Sequence, residues 1–219
     1  MNTASSPAFT ATDPLAGTPL IKPFIQAALQ NLPKDHAFHS DVRQLYEDFR
    51  QLAYFDRYGS VCFAMAALTA KILRARGHAT EVKACHAIFS SADEEFYLGY
   101  KGYAEPGQVE GHVVCVVNGN IVLDFGLGNA ARHYRENFYS AIACVASNYG
   151  PVLATSELPN GMRAQWRTDW TGPDIDAELK RQEPLLQPLL ANYESYRKNR
   201  IGYLLKKLFM GTKSKGLLI

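Results

Sequence analysis

Three residues of this chain have the types, order and surroundings of a nucleophilic triad: Cys62, His112 and Asp124. Cys62 lies in Gly59-Ser60-Val61-Cys62-Phe63-Ala64-Met65, at the start of a predicted helix. His112 opens the apolar run to Val117, and Asp124 follows Ile121-Val122-Leu123 in the next run. A free thiol is mostly protonated at neutral pH, and only its thiolate attacks carbonyl carbon well. The positive end of a helix stabilises that anion, a histidine takes the proton, and a carboxylate fixes the histidine tautomer. Asp124 stands among Val122, Leu123 and Phe125, where an unpaired carboxylate is costly, and His112 is the nearest partner in the hairpin. The backbone N–H of Cys62, in a first helical turn, offers one oxyanion donor. Gln51, Tyr54 and Tyr58 are the upstream candidates for a second.

The hairpin between the two strands sets a geometric condition. A two-residue turn at Asn118-Gly119 would pair His112 with Phe125 and send Asp124 to the opposite face. A three-residue loop, Asn118-Gly119-Asn120, pairs Val117 with Ile121 and makes His112 and Asp124 diagonal neighbours on one face. In that loop Asn120 is expected to take the left-handed conformation. The triad therefore requires the three-residue loop or a bulge.

Other chemistry-bearing residues are poorer candidates. Cys85 and His86 are adjacent on a predicted strand, so their side chains point to opposite faces. Cys115 lies among valines with no helix dipole to activate it. His36 and His39 have the spacing to begin a metal site, but no third ligand stands at a useful distance, so no metal or other cofactor is expected. Gly126-Leu127-Gly128 lacks a phosphate-loop continuation and lets the chain bend away after Asp124.

The elements that must hold the triad are readable from periodicity. Ser40 is expected to cap a helix with Val42, Leu45, Phe49 and Leu52 on one face, after a short helix from Pro23 to Leu32. Ser60 is expected to cap the thiol helix, Val61 to Arg76, with Met65, Leu68, Ile72 and Ala75 inward and Gly77 as its stop. Strands follow at Thr80 to Phe89, where Val82, Ala84, His86 and Ile88 share a face, and at Glu95 to Lys101. A loop spans Ala104 to Glu110. The hairpin strands are apolar on both faces, which places them centrally in an antiparallel sheet covered by the thiol helix. Tyr134 to Asn148 is ambiguous between helix and strand, and Leu158 to Pro173 reads as a loop carrying Trp166 and Trp170. Asp176 to Arg197 reads as a helix kinked at Pro184 or Pro188.

Composition bounds the function. At 219 residues and 47% apolar, the chain can build one full core. Residues 1–19, rich in Ser, Thr, Ala, Pro and Gly, read as a flexible leader before a single domain at 20–199. A net charge of +2 gives no argument for nucleic acid. Seven basic residues and no acidic one follow Glu194, which leaves about −5 on the rest. Within 200–219, Ile201, Leu204, Leu205, Leu208 and Phe209 form an apolar stripe opposite Lys206 and Lys207. That segment suits either docking on the domain or weak contact with an anionic membrane. Four cysteines without C-x-x-C spacing fit free thiols in a reducing compartment. With no signal-peptide pattern and no spanning apolar run, the expectation is cytoplasmic, or export without a cleaved signal.

Taken together, the residues resemble the papain-like superfamily, in its transglutaminase-like branch. The likeness rests on a Cys opening a helix that ends in Arg74-Ala75-Arg76-Gly77, then a strand with His112 and the next with Leu123-Asp124. Gly59-x-x-Cys62-Phe63 and Leu123-Asp124-Phe125-Gly126-Leu127-Gly128 also resemble arylamine N-acetyltransferases. Val113 and Val114 stand where transglutaminases commonly carry an aromatic, and the Arg-Gly-Gly that precedes the acetyltransferase cysteine is absent. The resemblance covers about Tyr58 to Gly128. It implies an α+β fold with N-terminal helices, the nucleophile helix on an antiparallel sheet and a helical C-terminal extension. It implies Cys62, His112 and Asp124 as the catalytic residues of a cysteine protease, amidase, deamidase or transglutaminase-like enzyme, on a protein, peptide or small amide. Acetyl transfer, and a non-catalytic binding module of the same fold, are the alternatives.

Overall fold

A computed structural model describes residues 36–100, 111–134, 138–170 and 174–202. The expected leader, the helix at 23–32, the loop at 104–110 and nearly all of the C-terminal stripe lie outside the described residues. Of that stripe Ile201 is described, and it is exposed.

Helix α1 (His36–Gln51) buries Val42, Leu45 and Phe49, with Leu52 just beyond its end, the spacing that a 3.6-residue period predicts. It runs through Ser40, so that serine is an interior helical residue and not the cap. The chain then turns at Ala53, φ 56°, into the short α2 (Tyr54–Tyr58). Helix α3 (Cys62–Ala75) has Val61 as its N-cap, without a capping side chain, which corrects the expectation for Ser60. Met65, Leu68 and Ile72 are buried as expected, whereas Ala75 is exposed. Gly77, φ 93°, ends the helix as predicted: its N–H donates to Arg74 O and that of His78 to Leu73 O. This pair of bonds satisfies two terminal carbonyls and needs a left-handed residue between them.

The sheet is built from β1 (Thr80–Ser90), β2 (Glu95–Leu98), β3 (His112–Val117), β4 (Ile121–Asp124), β5 (Ile142–Tyr149), β6 (Val152–Glu157) and β7 (Arg163–Arg167). The short helix α4 (Gly128–Tyr134) separates β4 from β5. Every strand pair is antiparallel, in the order β2-β1-β3-β4-β5-β6-β7. A further pairing of β1 with β7 closes six strands into a barrel, with β2 extending the β3 edge of β1. The fold is thus α+β. The ambiguous stretch resolves into the end of α4 and into β5. Residues 163–167, expected within a loop, form β7 and carry Trp166 into the barrel wall.

Helix α3 lies on the sheet, Phe63 and Ala66 packing on Val113 with Val82 and Ala84 beside them. Helix α5 (Ile175–Lys198) starts at Asp174, whose carboxylate accepts the Ala177 N–H at 3.1 Å. It contains both Pro184 and Pro188 and buries Leu186, Leu189, Tyr193 and Tyr196. Its Tyr193 hydroxyl donates to buried Asp48 of α1 at 3.2 Å and accepts from Arg76 at the end of α3. These bonds tie the far end of the thiol helix to the helical layer. No helix among the described residues is long and apolar enough to cross a membrane.

Candidate active site

The hairpin has the three-residue loop. Val117 pairs with Ile121, Val116 with Val122 and Cys115 with Leu123. Asn118 (φ 50°) and Gly119 (φ 71°) take the left-handed conformations, so Asn120 is not the residue that does. Asn118 is held there by its neighbours: its N–H donates to Ala79 O at 2.8 Å and its side chain accepts the Ala79 N–H at 3.1 Å. This register puts His112 and Asp124 on one face, and His112 Nε2 lies 2.7 Å from Asp124 Oδ2.

Asp124 is fully buried and collects two further donors. Trp166 Nε1 donates to Oδ2 at 2.7 Å, and the Gly126 N–H donates to Oδ1 at 3.0 Å. Since β7 and β4 are not neighbours in the sheet, the tryptophan bond crosses the barrel interior. A buried carboxylate needs such a set of donors to be tolerated. Both oxygens act as acceptors, so the proton shared with His112 sits on Nε2 and Nδ1 is left as a base.

Two glycines bring the thiol to that base. A Cβ at Gly126 would lie 2.7 Å from both Cα and Cβ of Cys62 and 3.4 Å from His112 Cε1. A Cβ at Gly128 would stand 2.6 Å from Gly59 C and Ser60 N, and its N–H donates to Gly59 O at 3.0 Å. The segment after Asp124 is therefore pressed against the first residues of α3, and side chains there would separate them. What the sequence offered as a simple bend is a close contact. Gly126→Ala is expected to cost about 1–3 kcal/mol, as overpacking does, and to push Cys62 from His112. Urea unfolding checks this: an unchanged midpoint would mean the contact is not tight.

Cys62 is half-buried, while Cys85, Cys115 and Cys144 are buried. Burial pushes the Cys115 and Cys144 thiols up to about 12 and raises that of Cys85 well above its usual value. Burial thus disfavours the thiolate form in all three. Around His112, burial acts to lower the pKa, but the charge and hydrogen bond of Asp124, with a hydrogen bond to Cys62, raise it to about 10. A folded pKa above the unfolded value stabilises the fold fully below the ordinary histidine range, and this contribution is lost as pH rises toward the folded value. The urea midpoint is therefore expected to fall between about pH 6 and about pH 9.5 more steeply in the wild type than in His112→Gln. Parallel curves would remove the linkage.

Comparison with protein-family models, curated proteins and solved structures found no match.

The structure brings Cys62, His112 and Asp124 together. It does not bring Tyr54 into the group, because its hydroxyl donates to Leu189 O at 2.8 Å and accepts from Asn192 in α5. Cys85 is the register partner of His112 and His86 points to the other face, so the two are separated as expected. Trp166 and the Gly126 amide were not recognised from the sequence. The alternation Arg163-Ala164-Gln165-Trp166-Arg167, with Ala164 and Trp166 buried, is the signal that marks the tryptophan as inward-facing on a strand. No group of three or more potential metal ligands occurs among the described residues.

Proposed function

We propose that this protein is a thiol-dependent acyl-transfer enzyme acting on an amide bond, built in the papain-like, transglutaminase-like manner. The observation that carries the reading is the orientation of one imidazole. Its Nε2 is fixed by a buried carboxylate that two further N–H groups hold, and the same imidazole hydrogen-bonds a half-buried thiol at a helix N-terminus. A structural histidine needs no cysteine on its other side, and a structural cysteine needs no base.

In this reading the raised pKa of His112 lets Nδ1 hold the Cys62 proton, and Sγ bonds to the substrate carbonyl carbon as the thiolate. The Cys62 N–H, in the first turn of α3, faces the oxygen as it gains charge. The C–N bond breaks as His112 returns the proton to the departing nitrogen, leaving a thioester. Water or an amine then gives a proton to His112 and attacks the thioester, and Sγ leaves and is reprotonated. The final acceptor decides between hydrolysis and transfer.

Intact-mass analysis after brief iodoacetamide treatment at about pH 6.5, where an ordinary thiol is almost fully protonated, tests the proposal. One adduct on Cys62 is expected, formed at least ~10² times faster than in His112→Gln. Four equally slow thiols would instead mark a binding module of the same architecture.

A further inference from the structure

Strand β1 runs antiparallel to α3. Thr80 Oγ1 donates to Ala70 O toward the helix C-terminus, and Cys85 is close enough to Cys62 for their charges to interact. Val82 and Ala84 pack beneath the helix. Side chains alternate along a strand, so the next residues on that face are His86 and Ile88, which lie past the end where Cys62 sits. The register widens this floor, with His86 opposite Arg167 on β7 and Ile88 opposite Tyr97 on β2. Tyr100, following β2, and Trp170, following β7, complete the lining together with Asp169. The cavity measures about 380 Å³, within the range of small-ligand sites.

Its lining combines aromatic rings with one internal ion pair. The Tyr100 ring meets His86 edge-on at 5.0 Å and Tyr97 at 5.4 Å, and Trp170 stands 6.3 Å from His86. Arg167 donates from Nε and Nη2 to the Asp169 carboxylate, so the two charges cancel. Burial lowers the pKa of His86, against the smaller opposing effect of the Asp169 carboxylate 3.9 Å from its Nε2. Its buried Nδ1 has no hydrogen-bond partner among the described residues. With the one cation and the one anion of the lining already paired, neither charge is left over for a charged guest, whereas the rings of Tyr97, Tyr100 and Trp170 favour an aromatic one.

We infer that this cavity is the recognition pocket for an uncharged aromatic side chain of the acyl substrate, seated beside the carbonyl that Cys62 attacks. Its role in recognition rests on the acyl-transfer reading; the pocket's affinity for aromatic rings does not. The test compares alkylation of Cys62 by N-benzyl-, N-cyclohexylmethyl- and N-methyl-chloroacetamide, followed by intact mass. The benzyl reagent is expected to react about 10-fold faster than the methyl one and several-fold faster than the cyclohexylmethyl one. Trp170→Ala, at a partly exposed position, is expected to bring the benzyl and cyclohexylmethyl rates together. A cyclohexylmethyl reagent as fast as the benzyl one, or a preference that survives Trp170→Ala, would overturn the inference. Should Cys62 resist all three reagents, the acyl-transfer reading fails, and the pocket is judged separately by titrating N-benzylacetamide against the Trp170 indole N–H resonance. A saturable shift upholds the aromatic pocket, and no shift removes it.

Discussion

Cys62→Ala is expected to yield a folded protein that takes up no acyl group. With p-nitrophenyl acetate the wild type should acquire one acetyl group on Cys62, detected by intact mass, and the variant none. The activated ester supplies a good leaving group, so the test depends on the nucleophile and its base and not on the natural substrate. Folding should survive because Cys62 is half-buried at the head of α3, while the apolar contacts of that helix come from Phe63, Met65, Leu68 and Ile72. Loss of the sulfur is expected to lower the unfolding free energy by less than about 2 kcal/mol, below the cost of emptying a core site. Acetylation that persists in a folded Cys62→Ala protein would assign the chemistry to another residue and end the proposal.

The juxtaposition of Cys62, His112 and Asp124 was legible because its constraints are local. A helix start, two short apolar strands and one loop of three residues decide whether Cys62, His112 and Asp124 can share a face, and each of these is written within Tyr58 to Gly128. Burial of both faces of β3 and β4 followed from their unbroken apolar runs and is observed. The barrel was not legible. Its closure joins Ala87 to Trp166 and Phe89 to Ala164, partners far apart in sequence, and β6 presents Ala154 and Ser156 inward where no large apolar side chain marks a strand. Small inward residues leave room for Trp166, but they weaken the alternation that periodicity detects. The two serine caps failed for another reason. A cap is read from the first apolar residue backward, and α1 begins four residues before Ser40, while a turn ending at Val61 supersedes Ser60 as the entry to α3.

Asp124→Asn is expected to slow acetylation of Cys62 by about 10²–10⁴-fold, the range that loss of the orienting carboxylate produces in other triads. Some thiol enzymes use asparagine at this place, so the expectation has to come from the donors around Asp124. Three N–H groups, from His112, Trp166 and Gly126, converge on its two oxygens. An asparagine has one acceptor oxygen and one NH2 group. If the oxygen faces His112 and Trp166, the NH2 opposes the Gly126 N–H, and the segment that presses on Cys62 is pushed away. If the oxygen faces Gly126, the NH2 opposes the Trp166 indole and donates to His112 Nε2, which moves the imidazole proton to Nδ1 and leaves no base for the thiol. Either orientation sets one donor against another, at a cost of about 1–3 kcal/mol for the unsatisfied group. Adding Trp166→Phe removes one of the opposed donors. It should recover part of the lost stability in the second orientation and none in the first, so urea midpoints of the single and double variants identify the orientation adopted. Acetylation rates are then compared among variants shown to be folded. A folded Asp124→Asn protein as reactive as the wild type would mean that Asp124 only satisfies buried donors, and that Cys62 and His112 act as a dyad.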